Sequence, residues 1–405
     1  MRALHCFSVL FALTTLAQAG RSRASEPHPD DASIGTRPAR IATSEPAAPE
    51  SASGSGSSFE LEERERHPGD MVIATDPPPD WAVLHAGVRP HLGTFGGIAA
   101  LALAHERIER FYGVFSLSLI RNDAGTHAGG LQLALGRNLA NDFGGIAQVS
   151  LGENRARNFY GLMQVGLAYN RTLDMAGGFQ LGGYNRTKTF AGAFQLGGYN
   201  RADQSFAGLV QIAGFNHAHQ DFTGLAQIGV VNGQSELFDE SPDDDHRFAG
   251  VAQIGLFNSA GNFRGLTQIG VSSWSGDFVG GFQIGAFVAG AKEFRGIAQI
   301  GLGNISEESY GAQIGGGAIA LESHTGLQLG VLANYAETVN GAQIGLANIA
   351  EEASGVQIGL FNHAKRLRGV QIGLVNHAED GVLPWTAILN MGFGDDPGSD
   401  YASAL

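Results

Sequence analysis

From about residue 130 the chain alternates, one residue at a time, between aliphatic positions and positions held by glutamine or glycine. The pattern restarts at a glutamine sixteen times, from Gln132 to Gln371, and fourteen of the fifteen intervals are 14 to 16 residues long. Counting each repeat from its glutamine as zero, position +1 is Ile, Leu or Val in all sixteen copies, as in Leu133, Val165, Ile254 and Ile372. Position −1 is apolar in fifteen copies, with Thr267 the exception, and position +2 is glycine in thirteen. A period of two, with glycine at this density, predicts a β-strand with one aliphatic face and one Gln/Gly face, because a helix would need apolar residues three and four apart and would lose stability at each glycine.

Asparagine at +5 in nine copies, among them Asn185, Asn258 and Asn362, reads as the end of each strand, since Asn tolerates left-handed backbone and caps turns with its own amide. Polar or charged turn residues follow, then often an aromatic such as Phe190, Phe206 or Phe248. Aromatics at both strand ends, as in Phe190 with Tyr199 and Phe206 with Phe215, read as the paired interfacial girdles of an outer-membrane barrel. Upstream, Trp81 to Leu92, Ile98 to His105 and Tyr112 to Ile120 are further strand-length apolar segments, and Trp385 to Phe393 is a last one.

Two architectures repeat such a strand. In a closed antiparallel outer-membrane-type β-barrel, each copy is one strand and one turn, the aliphatic +1 row (Ile254, Ile300, Ile358) meets lipid, and Gln253, Gln299 and Gln357 face the lumen. The strand length of ten or eleven residues suits a tilted membrane crossing, and no charge occurs between −2 and +4 in any copy. Sixteen repeats and four flanking strands predict a barrel of about twenty strands. In a β-solenoid, each copy is one coil, the +1 row forms a dry core and the glutamines face water. The barrel is the expectation adopted from the sequence, because the shortest copies leave little apolar surface, as in His363 to Arg368, with which to cover a solenoid core.

The segments outside the repeats read differently. Residues 1–19 have the form of a secretory signal, with Arg2, an apolar run from Cys6 to Leu16 and the small-residue site Ala17-Gln18-Ala19. Cys6 is the only cysteine, so removal of that segment would exclude disulfides and thiolate chemistry. Residues 20–78 form a Pro/Ser/Gly-rich acidic tether that cannot bury a core, residues 79–395 the β-domain with its repeats at 130–378, and residues 396–405 a polar tail. The net charge of −14 argues against nucleic acid, whose phosphates require clustered Lys and Arg. Outer-membrane lipid is the expected partner of a barrel.

Candidate chemistry is sparse. The acidic insertion at 234–246, with Asp243, Asp244 and Asp245, lacks the glycine-hinged spacing of a calcium loop and reads as a surface loop. His217, His219, His363 and His377 recur after the strand-ending Asn but have no second ligand at metal spacing, and read as turn residues. The Gln row is either a lining for polar solutes or a structural row pairing with its own neighbours. No nucleophile elbow, phosphate loop or paired-carboxylate cleft occurs, so no catalytic, cofactor-binding or metal-ligating residue is assigned and an enzyme is not expected.

The segment Gly-Val-Gln-Ile-Gly-Leu-Val-Asn-His-Ala at 369–378, and its copies over roughly 130–378, resembles the Leptospira-type surface-repeat family of bacterial exported proteins. That resemblance implies an exported protein at the outer membrane or cell surface and supplies no catalytic residues. With the barrel it implies a structural or passive pore-like role; with the solenoid, a surface-displayed adhesin or interaction scaffold.

Overall fold

A computed structural model describes residues 80–233, 246–381 and 383–393, and within them neighbouring repeats pair in parallel, each position on its own counterpart. Gln132 lies beside Gln148, Asn138 beside Asn154, Phe143 beside Phe159, and the same register returns at the far end, with Asn348 on Asn362 and Gln357 on Gln371. The fold is therefore a β-solenoid of about 18 turns. This overturns the barrel: strands joined in a closed meander must pair antiparallel, with each glutamine offset from the next, whereas a coil that climbs one strand spacing per turn sets identical residues in line. The expectation of about twenty lipid-facing strands goes with it. The signal-like segment 1–19, the tether 20–78, residues 234–245 of the insertion and the tail 396–405 lie outside the described residues.

Each coil has three sides. Between two successive coils, residues 121–124 pair with 137–140, 126–129 with 142–145 and 131–134 with 147–150, leaving corners at 125, 130 and 135–136. Two side chains from each four-residue side point inward. The first side contributes the Asn and a small residue (Asn138, Ala140), the second a Phe (Phe143), the third the Gln (Gln148). The turn-capping role expected for Asn is thus corrected, because its amide points into the prism.

The second correction concerns which face is inside. All sixteen glutamines are essentially fully buried, whereas no +1 residue is: Ile212, Ile254, Ile358 and Ile372 are about 40% exposed. A buried amide is tolerable only when its hydrogen bonds are made, and here they are. Each Gln Nε2 donates to the Oε1 of the glutamine one coil earlier, at 2.7–3.0 Å, through fifteen unbroken links from Gln132 to Gln371. Its second N–H often reaches a backbone carbonyl, as from Gln283 to Gly290 at 2.8 Å. The asparagines form a second ladder of opposite polarity. Asn154 Nδ2 donates toward the following coil, to Asn170 Oδ1 at 3.0 Å and to the carbonyl of Val165 at 2.6 Å. Asn390, on the antiparallel closing strand Trp385–Phe393, donates to the last free acceptor, Gln371 Oε1, at 3.2 Å.

The remaining core is an aromatic column. Phe206, Phe222, Phe248, Phe263 and Phe278 stack ring on ring at 4.8–4.9 Å with their planes nearly parallel, which is the spacing between adjacent strands. The aromatics read as interfacial girdle residues, Phe190 and Phe206 among them, are this interior column. The acidic insertion does not disturb the interior: Gln253 bonds Gln227 at 2.9 Å and Asn232 bonds Asn258 at 2.9 Å across it.

Coils shorten towards the C-terminus, and glycine pays for the tighter corner. From Gly311 onward the residue at −2 is glycine with positive φ (Gly311, Gly326, Gly341, Gly355, Gly369). A Cβ on Gly355 would lie 2.0 Å from the carbonyl oxygen of Gly341. By contrast, a Cβ on Gly144 would meet nothing nearer than 3.9 Å.

Two outcomes follow for denaturant unfolding. Gln253→Leu, although it makes the core more apolar, is expected to destabilise by about 2–4 kcal/mol, because it strands the amides of Gln227 and Gln268, whereas Ile254→Gln on the outside should change stability by less than about 0.5 kcal/mol. Equal effects would contradict the inward glutamine. Gly355→Ala should lower the midpoint sharply and Gly144→Ala hardly at all; the strained backbone alone costs on the order of 1–3 kcal/mol.

Candidate interaction surface

The glutamine side carries an outer surface unlike the other two. Because Gln points in, its aliphatic neighbours point out, and the corner residues at −2 and +3 rise along the two edges. Ile146, Leu162, Leu266 and Ile297 line one edge at 51–62% exposure, and Leu167, Leu302, Val331 and Leu374 the other at 60–66%. With no charge from −2 to +4 in any copy, this is a continuous apolar strip. Sixteen coils at about 4.8 Å and a width of about 16 Å make it roughly 75 Å long and on the order of 1,200 Å². The largest apolar patch on an ordinary soluble monomer is about 300–600 Å², so the strip is at least twice that size.

The other two sides carry the charges, paired between and along coils. Arg186 and Arg201 share Asp203 at 2.8 and 2.6 Å, and Lys365 meets Glu351 at 2.9 Å. The Arg–Asp pairs are part-buried and the Lys365–Glu351 pair is largely exposed; an exposed pair contributes about 0–1 kcal/mol, and the charges leave these sides polar.

Two short outer aromatic rows stand along one stretch of the strip, one at +4 and one at −1. Tyr184 stacks on Tyr199 with centroids 5.0 Å apart and planes 10° from parallel, and Phe179 on Phe194 at 5.4 Å.

The histidines fall into two groups. His217 and His219 are joined by His246, at ring-centroid separations of 5.7 and 5.1 Å. Burial, then the nearby Arg201, pulls His217 down to about 4. His363 and His377 meet Nδ1 to Nδ1 at 2.8 Å, and His377 stacks on Trp385 at 4.0 Å. Among the described residues no three His, Cys, Asp or Glu side chains converge as a metal would require. The carboxylates at 239–245 lie outside the described residues.

Three titratable groups that sequence reasoning passed over sit inside the prism, one of them His324, which is fully buried and lowered by burial to about 4. His127 occupies a place in the aromatic column, stacked 4.5 Å from Phe111 and 5.0 Å from Phe143, fully buried with neither ring nitrogen bonded. Burial lowers it to about 3. Glu106 stands one coil before Asn122 in the asparagine row, fully buried, and burial raises it to about 8. Once the register is known, His127 falls between Phe111 and Phe143, and Glu106 falls beside Asn122.

No known protein family, no curated protein and no solved structure matches this chain. Among the described residues no helix is long and apolar enough to cross a membrane.

Buried His127 and Glu106 set opposite pH dependences. Unfolding exposes the His127 imidazole, which takes up a proton below pH 6.5, while the folded ring stays neutral down to about 3; stability is therefore lost as pH falls through that window. The folded Glu106 holds its proton up to about 8, whereas the unfolded carboxyl releases it near 4.5; stability is lost as pH rises through that window. His127→Phe should make the acid limb of a plot of thermal midpoint against pH shallower, with His217 and His324 still contributing to it, and Glu106→Asn should do the same to the limb between pH 4.5 and 8. An unchanged slope in either variant would show that its group is not the one titrating.

Proposed function

We propose that this chain is an exported, non-catalytic surface scaffold of the adhesin or interaction type, built as a stiff β-solenoid. The observation that carries the reading is the unbroken amide ladder, which holds one register across all sixteen glutamine coils, even past the insertion, and so presents long uniform outer faces. A coil contacts only its neighbours, as in other solenoids, which use extended surfaces for binding. A solenoid of this kind makes no pore, since its interior is filled by Gln, Asn and Phe. The signal-like residues 1–19 and the resemblance of 369–378 to the Leptospira-type surface-repeat family support a location at the cell surface.

Fractionation of intact cells with added protease tests this. The protein is expected in the envelope fraction and to be degraded by protease that cannot enter the cell. A deletion strain should lose attachment to surfaces that the complemented strain regains. Recovery in the soluble cytoplasmic fraction, protected from external protease, would overturn the proposal.

A further inference from the structure

We infer that the apolar strip on the glutamine side packs against the same strip of a second copy of this chain, in an isologous two-fold dimer. Three observations select that occupant. The first is relief. Near the C-terminal end, the +1 ridge of Ile344, Ile358 and Ile372 and the +3 ridge of Leu346, Leu360 and Leu374 flank a groove of about 600 Å³ whose floor is glycine backbone. Knobs and hollows recur along it at the coil rise of about 4.8 Å. A surface of matching period is offered by another solenoid of the same rise, and a two-fold axis sets the +3 ridge of each copy in the groove of the other.

The second is area. A stable pair needs about 800 Å² from each partner, and the strip supplies on the order of 1,200 Å², so contact over two thirds of its length suffices. Two faces of this kind would meet about 10 Å apart, as stacked sheets do, with no buried charge to pair. The third is charge. No charged residue lies from −2 to +4 in any copy, so the strip offers charged headgroups nothing to pair with; between copies, ion pairs such as Arg186 with Asp203 and Lys365 with Glu351 lie on other sides, away from the contact.

Sedimentation velocity on the purified protein, isolated with its natural N-terminus and without detergent, tests the inference. At micromolar concentration the protein is expected at twice the chain mass. The triple variant Leu346→Glu, Leu360→Glu, Leu374→Glu changes residues that are 47–66% exposed and should keep the β-sheet circular dichroism. It should raise the dissociation constant by about a hundredfold or more, whereas Lys292→Glu on another side should leave the dimer intact. A wild-type protein that stays monomeric, or a triple variant that stays dimeric, would overturn the inference. So would a monomer that floats with neutral phosphatidylcholine vesicles, in that case in favour of lipid. The outcome is separate from cellular location, since a cell-surface protein can be monomeric and a cytoplasmic one dimeric.

Discussion

The structure depends on one condition, that a primary amide buried in a protein must have its N–H and C=O groups satisfied. One glutamine cannot meet that condition alone, but a column of them spaced at the strand rise can, each lending its oxygen to the next and its nitrogen to the one before. The fifteen links from Gln132 to Gln371 do this without a gap. They therefore enforce identical register, because a slip of one residue would turn every amide outward and every Ile inward together. The carbonyls that receive the second N–H, such as that of Gly290, fix which end of each amide is nitrogen. The ladder ends are closed by different amides, Asn122 Oδ1 accepting from Gln132 at one end and Asn390 donating to Gln371 at the other.

Other features follow from keeping that column straight. The aromatic rings stack at about the same interval because the backbone offers them no other. Glycine at +2 is required where a side chain would strike the previous coil and the asparagine amides, as at Gly182, whose Cβ would lie 2.4 Å from the Gly166 carbonyl. Coil length is free only at the corners: coils of 14 residues use a left-handed glycine such as Gly355, and one corner accommodates the whole acidic insertion while Gln227 and Gln253 remain bonded. The interior is thus strict and the perimeter permissive.

The same condition shapes the outside. A side whose inward positions are polar must, by alternation, turn its aliphatic residues outward, and the long apolar strip is the result. What makes the interior stable is what leaves Leu360 and Leu374 in solvent. The surface available for partners is a consequence of the core chemistry, and the proposals of a scaffold and of a self-covering face both rest on that link.

The alternation, the period, the β character of each copy and the closing strand near Trp385 were legible in the sequence, since periodicity is local and glycine excludes helix. The single strand of ten or eleven residues was not, because each coil bends at its corners into three short sides. Which face is buried was not. Both readings drawn from the sequence placed the +1 aliphatics against apolar surroundings, lipid or a dry core, because burial of apolar area usually decides. Here a repeated, fully bonded amide outweighs it, and that bonding exists only between residues 14 to 26 apart in sequence, once the coils are stacked. The choice between barrel and solenoid had the same origin. Antiparallel and parallel neighbours are built from identical strands, and only the tertiary pairing of Gln132 with Gln148 and Asn138 with Asn154 decides between them. The misplaced Phe and Asn rows share the cause, for a residue that follows a strand in sequence becomes an inward column only when the chain turns three corners and returns beneath itself.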